Sequence, residues 1–426
     1  MISHEYLTPH FSQSLNNSQI FIENAAKFQG AKSKLVTFNA FNQSFALILI
    51  NICAFISNVT QVYIREYFDH MKGHDLPKLY SLNRSYIDDC YIGYDNKVNN
   101  SFVGAYLKKN KLDAFIVRNN HLYSLESYNN FSVIYRDFNR EINFEKDNID
   151  FEQFLDQCYS NLHIGKGNLK RGKVNELFPF LCDIHVVMYP LISKKKLMNR
   201  DISHTIKDII LYISLLNIGR FLKPYFVKTM VPLSQITIYT SSTSKLKSKN
   251  ISKCQILKKN YDSEIKRNKD FSPHCATLII SSMANSQAKG FSIRGGIYYK
   301  PLIILNSNIS NKLKHGKQSI SKSIIYSSFA VINNHAIKNL KGVSRRTWMV
   351  LNMFHQMGHL MGAKHDDLMF NKPMLPATKQ GWAKKSYLMA SLINNRSNID
   401  LEVSKISKDQ IKYMGHFRIF PYLPSA

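Results

Sequence analysis

The segment that most constrains this chain is HQMGHLMGAKHDD, which runs from His355 to Asp367. On an α-helix of about 3.6 residues per turn, His355 and His359 project from the same face. Gly362 permits a backbone turn with positive φ, which would bring His365 back toward these two side chains. Three neutral imidazoles that converge on one point, with a fourth position open, are the ligand set of a catalytic zinc ion. The spacing therefore predicts a zinc site.

Gln356 stands where the zinc-protease pattern H-E-x-x-H-x-x-G-x-x-H has glutamate. In zinc proteases that glutamate is the general base, which accepts a proton from the attacking water. A glutamine amide has nearly the same shape but offers no basic site near neutral pH. The loss of a general base lowers the rate by about 10²–10⁴, whereas the glutamate is not itself a metal ligand. The sequence thus predicts metal binding together with impaired catalysis. A chance cluster among the 15 histidines is the alternative to a metal site.

Composition indicates a globular chain with a strongly basic surface. A length of 426 residues suggests two or three domains, and a hydrophobic content of 44% is ample for packed cores. The formal charge of +28 favours acidic partners such as sulfated glycans, anionic membrane surfaces or nucleic acid. Lys and Arg are spread along the whole chain and no nucleic-acid motif occurs, so we expect no specific nucleic-acid partner. A solvated basic surface without a dedicated partner explains the charge equally well.

Cysteines and targeting signals give weaker constraints. The 6 cysteines form no C-x-x-C pair, so no second zinc site is predicted; three disulfides are permitted but not required. Several Asn-x-Ser/Thr sequons give weak support for secretion. The N-terminal stretch MISHEYLTPHF has no basic region followed by an apolar one, so no signal peptide is predicted. The apolar run at 45–59 is interrupted by Asn51 and is predicted to be a buried strand, not a transmembrane segment.

Hydrophobic patterns divide the chain into four parts. Residues 1–33 are polar and carry few structural signals. Residues 34–150 alternate between apolar and polar positions, with Asn, Asp and Gly at the turns, and predict a β-rich domain. Residues 151–176 are charged and rich in glycine, which is typical of a linker. The basic stretch at 165–173 within it is either a cleavage site or an ordinary exposed loop.

Residues 177–426 are predicted to form the domain that holds the metal site. Apolar residues at helical spacing predict an amphipathic helix over 201–222, and the helix with the first two histidines is predicted over 344–362. Strands are predicted around these helices. Strands that alternate with helices indicate an α/β (α+β) domain with a mixed sheet, which supports the site helix.

Several segments beyond the zinc motif resemble the reprolysin/ADAM-type metzincins. CYIGYDNKVNNSFVGAY and SVIYRD resemble parts of that family's prodomain, so residues 34–150 are interpreted as prodomain-like. PHCATLIIS resembles the strand before the site, and SKISKDQIKYMGHF resembles the closing helix. Asp366 follows His365, as in the reprolysin branch. The layout resembles the short secreted forms of arthropod saliva and venom, which implies an extracellular zinc-dependent endopeptidase.

The resemblance also implies roles for individual residues. SYLMAS at 386–391 resembles the Met-turn, which would place Met389 beneath the three histidines as an apolar platform. GFSIRGGIYY resembles the edge strand that binds substrate, so Gly295 and Gly296 are predicted to line a peptide groove. A simple turn at these glycines is the alternative. Cys158 is a weak candidate for a zinc-blocking cysteine, because FLDQCYSNL lacks the surrounding pattern. The chain departs from the family at Gln356, and in having no cysteine after Cys275 to form the family's later disulfides.

Three functional hypotheses follow. The first is a zinc-binding pseudoprotease that binds protein or peptide targets. The second is a zinc endopeptidase with residual activity, through metal-bound hydroxide or through a nearby carboxylate, Asp366 or Asp367. Of these two, Asp366 is expected to hold the turn after His365. The third is a basic adhesion or glycan-binding protein that uses the protease fold as a scaffold.

Overall fold

The computed structural model describes the protein over residues 12–25, 32–51, 56–67, 78–80, 85–99, 101–108, 111–119, 121–128, 130–136, 142–143, 147–149, 182–188, 199–218, 231–241, 275–281, 290–298, 302–307, 320–325, 328–333, 345–366, 385–387, 389, 392–393, 398–400 and 404–416. The predicted linker at 151–176, with its basic stretch and Cys158, lies outside these residues.

The strands before the predicted linker are β1 (Ser12–Asn16), β2 (Phe21–Asn24), β3 (Ser33–Ala40), β4 (Gln43–Ile50), β5 (Ile56–Tyr67), β6 (Lys78–Tyr80), β7 (Cys90–Asp95), β8 (Phe102–Lys108), β9 (Lys111–Arg118), β10 (His121–Ser127), β11 (Phe131–Arg136), β12 (Ile142–Asn143) and β13 (Asn148–Ile149). The strands after it are β14 (Ile184–Met188), β15 (Leu233–Ser241), β16 (Ala276–Ser281), β17 (Gly290–Ile293), β18 (Leu302–Ser307), β19 (Ile320–Ile325), β20 (Phe329–Asn333), β21 (Lys385–Tyr387), β22 (Leu392–Ile393) and β23 (Asn398–Asp400). The α-helices are α1 (Ser85–Asp88), α2 (Asn199–Ile218), α3 (Arg345–Leu360) and α4 (Lys405–His416).

Nine of the early strands form one antiparallel sheet, in the order β1-β11-β10-β9-β8-β7-β4-β3-β2. Side chains alternate across a strand, so Val36, Phe38 and Ala40 of β3 are buried in one apolar cluster. The sheet curls, so that the backbone N–H of Phe41 in the β3–β4 turn reaches β1 and donates to Gln13 Oε1 at 2.7 Å. Five strands separate β1 from β4 in the sheet order.

A second, eight-stranded sheet has the order β13-β17-β20-β16-β14-β15-β5-β6. Strands β20, β16, β14, β15 and β5 run parallel, whereas β17 is antiparallel to β20 and β6 is antiparallel to β5. Strand β5 pairs with β15 from Ile56 opposite Leu233 to Tyr67 opposite Ser241. The sheet is therefore assembled from two parts of the chain that lie far apart in sequence.

Helix α2 packs between the two sheets. Its apolar residues at helical spacing are buried, among them Ile206, Ile210 and Ile213. Strand β8 approaches the helix closely at Gly104, where an added Cβ would lie 2.8 Å from side-chain atoms of both Leu211 and Leu215. One apolar cluster includes residues of β8, β9, α2, α3 and the eight-stranded sheet. The two sheets therefore share this cluster, which is distinct from the one that contains Val36, Phe38 and Ala40.

The site helix α3 is fixed at its N-terminal end by polar contacts. Arg346 donates to the carbonyl oxygen of Leu125 in β10 and to Asp208 Oδ1 in α2, both at 3.1 Å. Trp348 Nε1 donates to the carbonyl oxygen of Asn333 at the end of β20. The helix is thereby attached to both sheets and to α2.

A disulfide joins Cys182 to Cys275, across 93 residues of sequence, at the starts of the neighbouring strands β14 and β16. Among the residues described, no helix has the length and apolar character needed to cross a membrane.

The predicted α/β (α+β) class is wrong. The described chain is mostly β, with twenty-three strands and only four α-helices, one of them a single turn. The predicted alternation of strands and helices does not occur between β15 and α3, where the described elements are strands and a short 3-10 helix. The segment 1–33 is polar and carries few secondary-structure signals, yet it contains β1 and β2. These strands form because they pair with β11 and β3. The division into a domain at 34–150 and another at 177–426 stays a prediction.

Candidate metal centre

Helix α3 presents its histidines inside the protein. His355 and His359 lie one turn apart and are fully buried, as are Phe354, Met357 and Leu360 around them. A helix that is apolar on most sides is typical of a protein interior. The helix packs against β17 and β20, so its histidine face lies next to the edge of the eight-stranded sheet.

A glycine turn brings the third histidine to the same place. Gly362 has φ 101°, a left-handed value that glycine adopts without strain. Its N–H donates to the carbonyl oxygen of His359, and the N–H of Ala363 donates to that of Gly358. These two hydrogen bonds form a Schellman motif, which ends the helix and reverses the chain. His365 is consequently buried beside the other two.

The three Nε2 atoms surround a common point. They are separated by 3.0 Å between His355 and His359, and by 3.2 Å between each of these and His365. Nitrogens bound to one tetrahedral zinc at about 2.0–2.1 Å would lie about 3.3 Å apart. The spacing fits a shared metal ion.

The hydrogen bonding of His359 supports this interpretation. Its Nδ1 lies 2.8 Å from the carbonyl oxygen of Ala363, which can only accept, so the ring proton is on Nδ1 and Nε2 carries a lone pair. Metal-binding histidines commonly have their other nitrogen fixed in this way. A lone pair directed at two other Nε2 atoms is unfavourable unless a cation or a proton lies between them. The arrangement therefore suits a cation.

Asp147 is the fourth member of the cluster, and sequence analysis missed it. Its Oδ1 lies 3.2 Å from Nε2 of His359 and 3.0 Å from that of His365, and its Oδ2 lies 3.1 Å from that of His355. The candidate ligand atoms of all four buried residues lie within 4.8 Å of one another, so the group can hold a metal ion. No signal in the sequence around Asp147 distinguishes it from the other charged residues nearby.

Strand pairing holds Asp147 in place. Asn148 and Ile149 of β13 pair in parallel with Ser292 and Ile293 of β17, and the N–H of Ser292 donates to the carbonyl oxygen of Asp147 at 2.8 Å. Asp147 is thus held at the edge of β17, where the family resemblance predicts that a peptide binds.

Burial and neighbouring charges shift the pKa values of Asp147 and His359 in opposite directions. Burial alone would raise the pKa of Asp147, but the facing His355 and His359 outweigh it and hold this pKa well below its ordinary value. Burial lowers the pKa of His359 to about 4, against the opposing effect of Asp147. A neutral imidazole beside an ionised carboxylate is the protonation state that metal ligation requires.

Gln356 is buried and points toward Asp147. Its Nε2 donates to Asp147 Oδ2 at 2.6 Å. Its Oε1 has no hydrogen-bond partner among the described residues. The Gln356 side chain is therefore hydrogen-bonded to the carboxylate of the cluster.

Asp366 fixes the turn after His365. Its Oδ1 accepts hydrogen bonds from Ser404 Oγ and, at 2.7 Å, from Ser407 Oγ, and its N–H donates to the carbonyl oxygen of Met389 at 3.0 Å. Ser404 Oγ also accepts from the N–H of Ser407 and caps α4. Met389 is fully buried in the core that includes α3. Its role as an apolar platform stays a prediction, and Asp367 lies outside the described residues.

Gly295 and Gly296 lie in a turn after β17. Gly295 has φ 64° and donates its N–H to the carbonyl oxygen of His359 at 2.8 Å, and Gly296 begins the 3-10 helix Gly296–Tyr298. The adjacent strand β17 already pairs with β13. A role for the two glycines in substrate binding stays a prediction.

Comparison with known proteins gives only distant similarities. No protein family and no curated protein matches this sequence. Among solved structures, metalloproteinase-II from Bacteroides fragilis is similar over 89% of this chain and 90% of its own, with 10% identity and a TM-score of 0.38. A chain from a chaperone–substrate complex is similar over 57% of this chain and 36% of its own, with 12% identity and a TM-score of 0.29. TM-scores this low do not establish a shared fold, so the assignment of a metal site depends on the geometry of the cluster.

Proposed function

We propose that this chain is a zinc-binding homologue of the reprolysin-like metalloendopeptidases with impaired catalysis, a pseudoprotease that binds a protein or peptide target. The observation that carries the proposal is the convergence of three imidazole Nε2 atoms and one carboxylate beside an amide instead of a base. Histidine nitrogens and carboxylate oxygens are ligands that zinc takes in tetrahedral sites. Imidazole also suits copper, iron and nickel, so metal analysis is part of the test.

A bound zinc ion would polarise a substrate carbonyl and lower the pKa of water. Among the residues that the structure describes, the polar side chains nearest the cluster are already in contact with other groups. The Gln356 amide donates to Asp147, Asp147 faces the three histidines, and Asp366 Oδ1 accepts from Ser404 and Ser407. Hydrolysis would therefore lack the factor of about 10²–10⁴ that a general base supplies.

The edge of β17 is the proposed binding surface for the target. A peptide can add to an exposed strand edge through main-chain hydrogen bonds, and this mode of binding needs no catalytic base. Within the part of the chain that the structure describes, strand β13 covers this edge with two residues, Asn148 and Ile149. Gly295 and Gly296 follow directly and would line the continuation of the groove.

The test measures bound zinc per chain and peptide hydrolysis on the same samples. Gln356→Glu and Gln356→Ala are compared with the native residue, once in the native chain and once with Asp147→Ala to remove the carboxylate from the site. With zinc content equalised, Gln356→Glu should hydrolyse a generic protein substrate at least about 10²-fold faster than the native residue in the Asp147→Ala background.

Two results would contradict the proposal. A native chain without stoichiometric metal would end the zinc assignment. Measurable and equal turnover of the native residue and Gln356→Glu in the Asp147→Ala background would mean that another base operates and that the chain is an active endopeptidase.

A polyanion is a second candidate partner, favoured by the formal charge of +28. Retention on a sulfated-glycan column that falls with salt and is unchanged by zinc removal would support an adhesion function. An extracellular location is also proposed, because the Cys182–Cys275 disulfide suits an oxidising compartment.

A further inference from the structure

We propose that Gln356 is a positioning residue that holds Asp147 against the three histidines, so that the chain itself closes the fourth position of its metal site. This inference rests on the proposed function, because it concerns regulation of the same zinc site. It assigns the glutamine a role in addition to the loss of a base.

Both oxygens of the Asp147 carboxylate lie close to imidazole nitrogens of the cluster. Oδ2 accepts from Gln356 Nε2 at 2.6 Å and lies 3.1 Å from His355 Nε2. Oδ1 faces the other two imidazoles at 3.2 and 3.0 Å. The Gln356 amide therefore fixes the rotation of the carboxylate, and this rotation presents both oxygens to the histidines.

The amide suits this position because it is uncharged and has a hydrogen to donate to Asp147. A glutamate in the same place would put a carboxylate oxygen 2.6 Å from Asp147 Oδ2, where the amide now donates a hydrogen bond. Two carboxylates at that distance in a buried site repel each other unless they share a proton. The substitution that removes a base thus also supplies a donor that stabilises the closed arrangement.

Strand β17 supports both partners from one side. The N–H of Ser292 donates to the backbone carbonyl of Asp147 at 2.8 Å. At Gly290, an added Cβ would lie 3.3 Å from Gln356 Nε2 and 2.9 Å from Asn352 Oδ1, so the strand backbone packs directly beside the amide. Two residues of one strand, Gly290 and Ser292, therefore contact the surroundings of the Gln356 amide and the backbone of Asp147.

A closed site has a measurable consequence. Zinc sites with four protein ligands are typically structural, whereas catalytic sites keep a position open for water or substrate. The native chain should therefore not bind a small metal-binding compound such as acetohydroxamate. A chain that lacks either Asp147 or its positioning amide should bind it.

The experiment uses the full-length chain loaded with zinc, and a parallel sample loaded with cobalt so that coordination is visible by absorption. The variants are Asp147→Ala, Gln356→Ala, Gln356→Glu and the double variant Asp147→Ala/Gln356→Ala. Gln410→Ala is the matched control, because Gln410 Oε1 accepts from the N–H of Lys364 next to His365 but its amide does not contact Asp147. Bound metal, melting temperature, the rate of zinc loss to EDTA and the cobalt spectrum with acetohydroxamate are measured for each.

The native chain and Gln410→Ala should show no spectral change at an acetohydroxamate concentration that saturates Asp147→Ala. Gln356→Ala and Gln356→Glu should respond to the compound, and zinc affinity should fall by about 10- to 100-fold, the usual effect of losing a partner that orients a metal ligand. The double variant should lose zinc no faster than Asp147→Ala alone, because the amide acts only through the carboxylate.

The results separate this inference from the proposed function. Stoichiometric zinc with equal acetohydroxamate binding in the native chain and Asp147→Ala would overturn the closed site and leave the zinc assignment intact. If Asp147→Ala bound acetohydroxamate but both Gln356 variants, like the native chain, showed no spectral change, the role of the amide would be overturned. Absence of bound metal in every sample would instead reject the proposed function.

Discussion

The backbone N–H of Ser292 lies 2.8 Å from the carbonyl oxygen of Asp147 and donates a hydrogen bond to it. This contact begins the parallel pairing of β13 with β17 and places a residue from the first part of the chain at the metal centre. The position of Asp147 beside the three histidines therefore depends on this strand pairing. The first part of the chain is also connected through β5, which pairs along the whole of β15.

A chain cut between residues 151 and 176 should stay together as two associated fragments. The pairing of β5 with β15 and the shared apolar core would have to be disrupted before the fragments could separate. We expect one peak in size-exclusion chromatography after cleavage at an engineered protease site, with unchanged zinc content. Separation of the fragments under native conditions would show that the N-terminal part is a removable prodomain.

Replacing two of the three histidines should abolish stoichiometric metal binding. His355→Ala/His359→Ala leaves one imidazole and Asp147, too few ligands for a tight zinc site. Metal analysis by mass spectrometry measures the effect, with His121→Ala in β10 as a control that should keep its zinc. A full equivalent of zinc in the double variant would reject the assignment of these ligands.

Asp366→Ala should weaken both stability and metal binding. Its Oδ1 accepts from Ser404 and Ser407, and the loss of a buried acceptor costs about 1–3 kcal/mol of unfolding free energy. Because the residue also fixes the turn beside His365, zinc affinity should fall as well, by about 10-fold or more. Denaturant unfolding and competitive zinc titration measure the two effects.

Asp95→Ala is the matched control for that variant. Asp95 is also a buried aspartate, paired with Arg118 in the nine-stranded sheet and remote in sequence from the metal ligands. The Asp95→Ala substitution should lower the free energy of unfolding without altering zinc affinity. An equal loss of zinc affinity in both variants would mean that Asp366 acts only through global stability.

Glu126→Gln should stabilise the protein more at neutral pH than at acid pH. Burial raises the pKa of Glu126; Arg346 opposes this effect, and Asp208 and Asp113 add to it. A carboxyl whose pKa is raised on folding stabilises the folded state below its ordinary pKa, and this contribution is lost as pH rises through the folded pKa. The melting-temperature difference between the variant and the native chain should therefore grow from about pH 4 to pH 7.

Local sequence was a good guide to the site helix and a poor guide to the fold class. The spacing of His355 and His359 and the turn at Gly362 depend on contacts within a few residues, and α3 and its Schellman motif have that local form. The class was misjudged because strand pairing depends on which partner is available. The polar segment of β1 becomes a strand only because β11 presents a free edge.

The sequence by itself determined that three histidines share one helix-and-turn unit and that the residue beside the first is an amide instead of a base. Only the tertiary structure decided what the amide binds. Asp147 lies 209 residues from Gln356 in sequence, and their 2.6 Å contact exists because β13 pairs with β17 at the edge of the second sheet. Helical periodicity specifies which side chains share a face, but it carries no information about which distant segment will pack against that face.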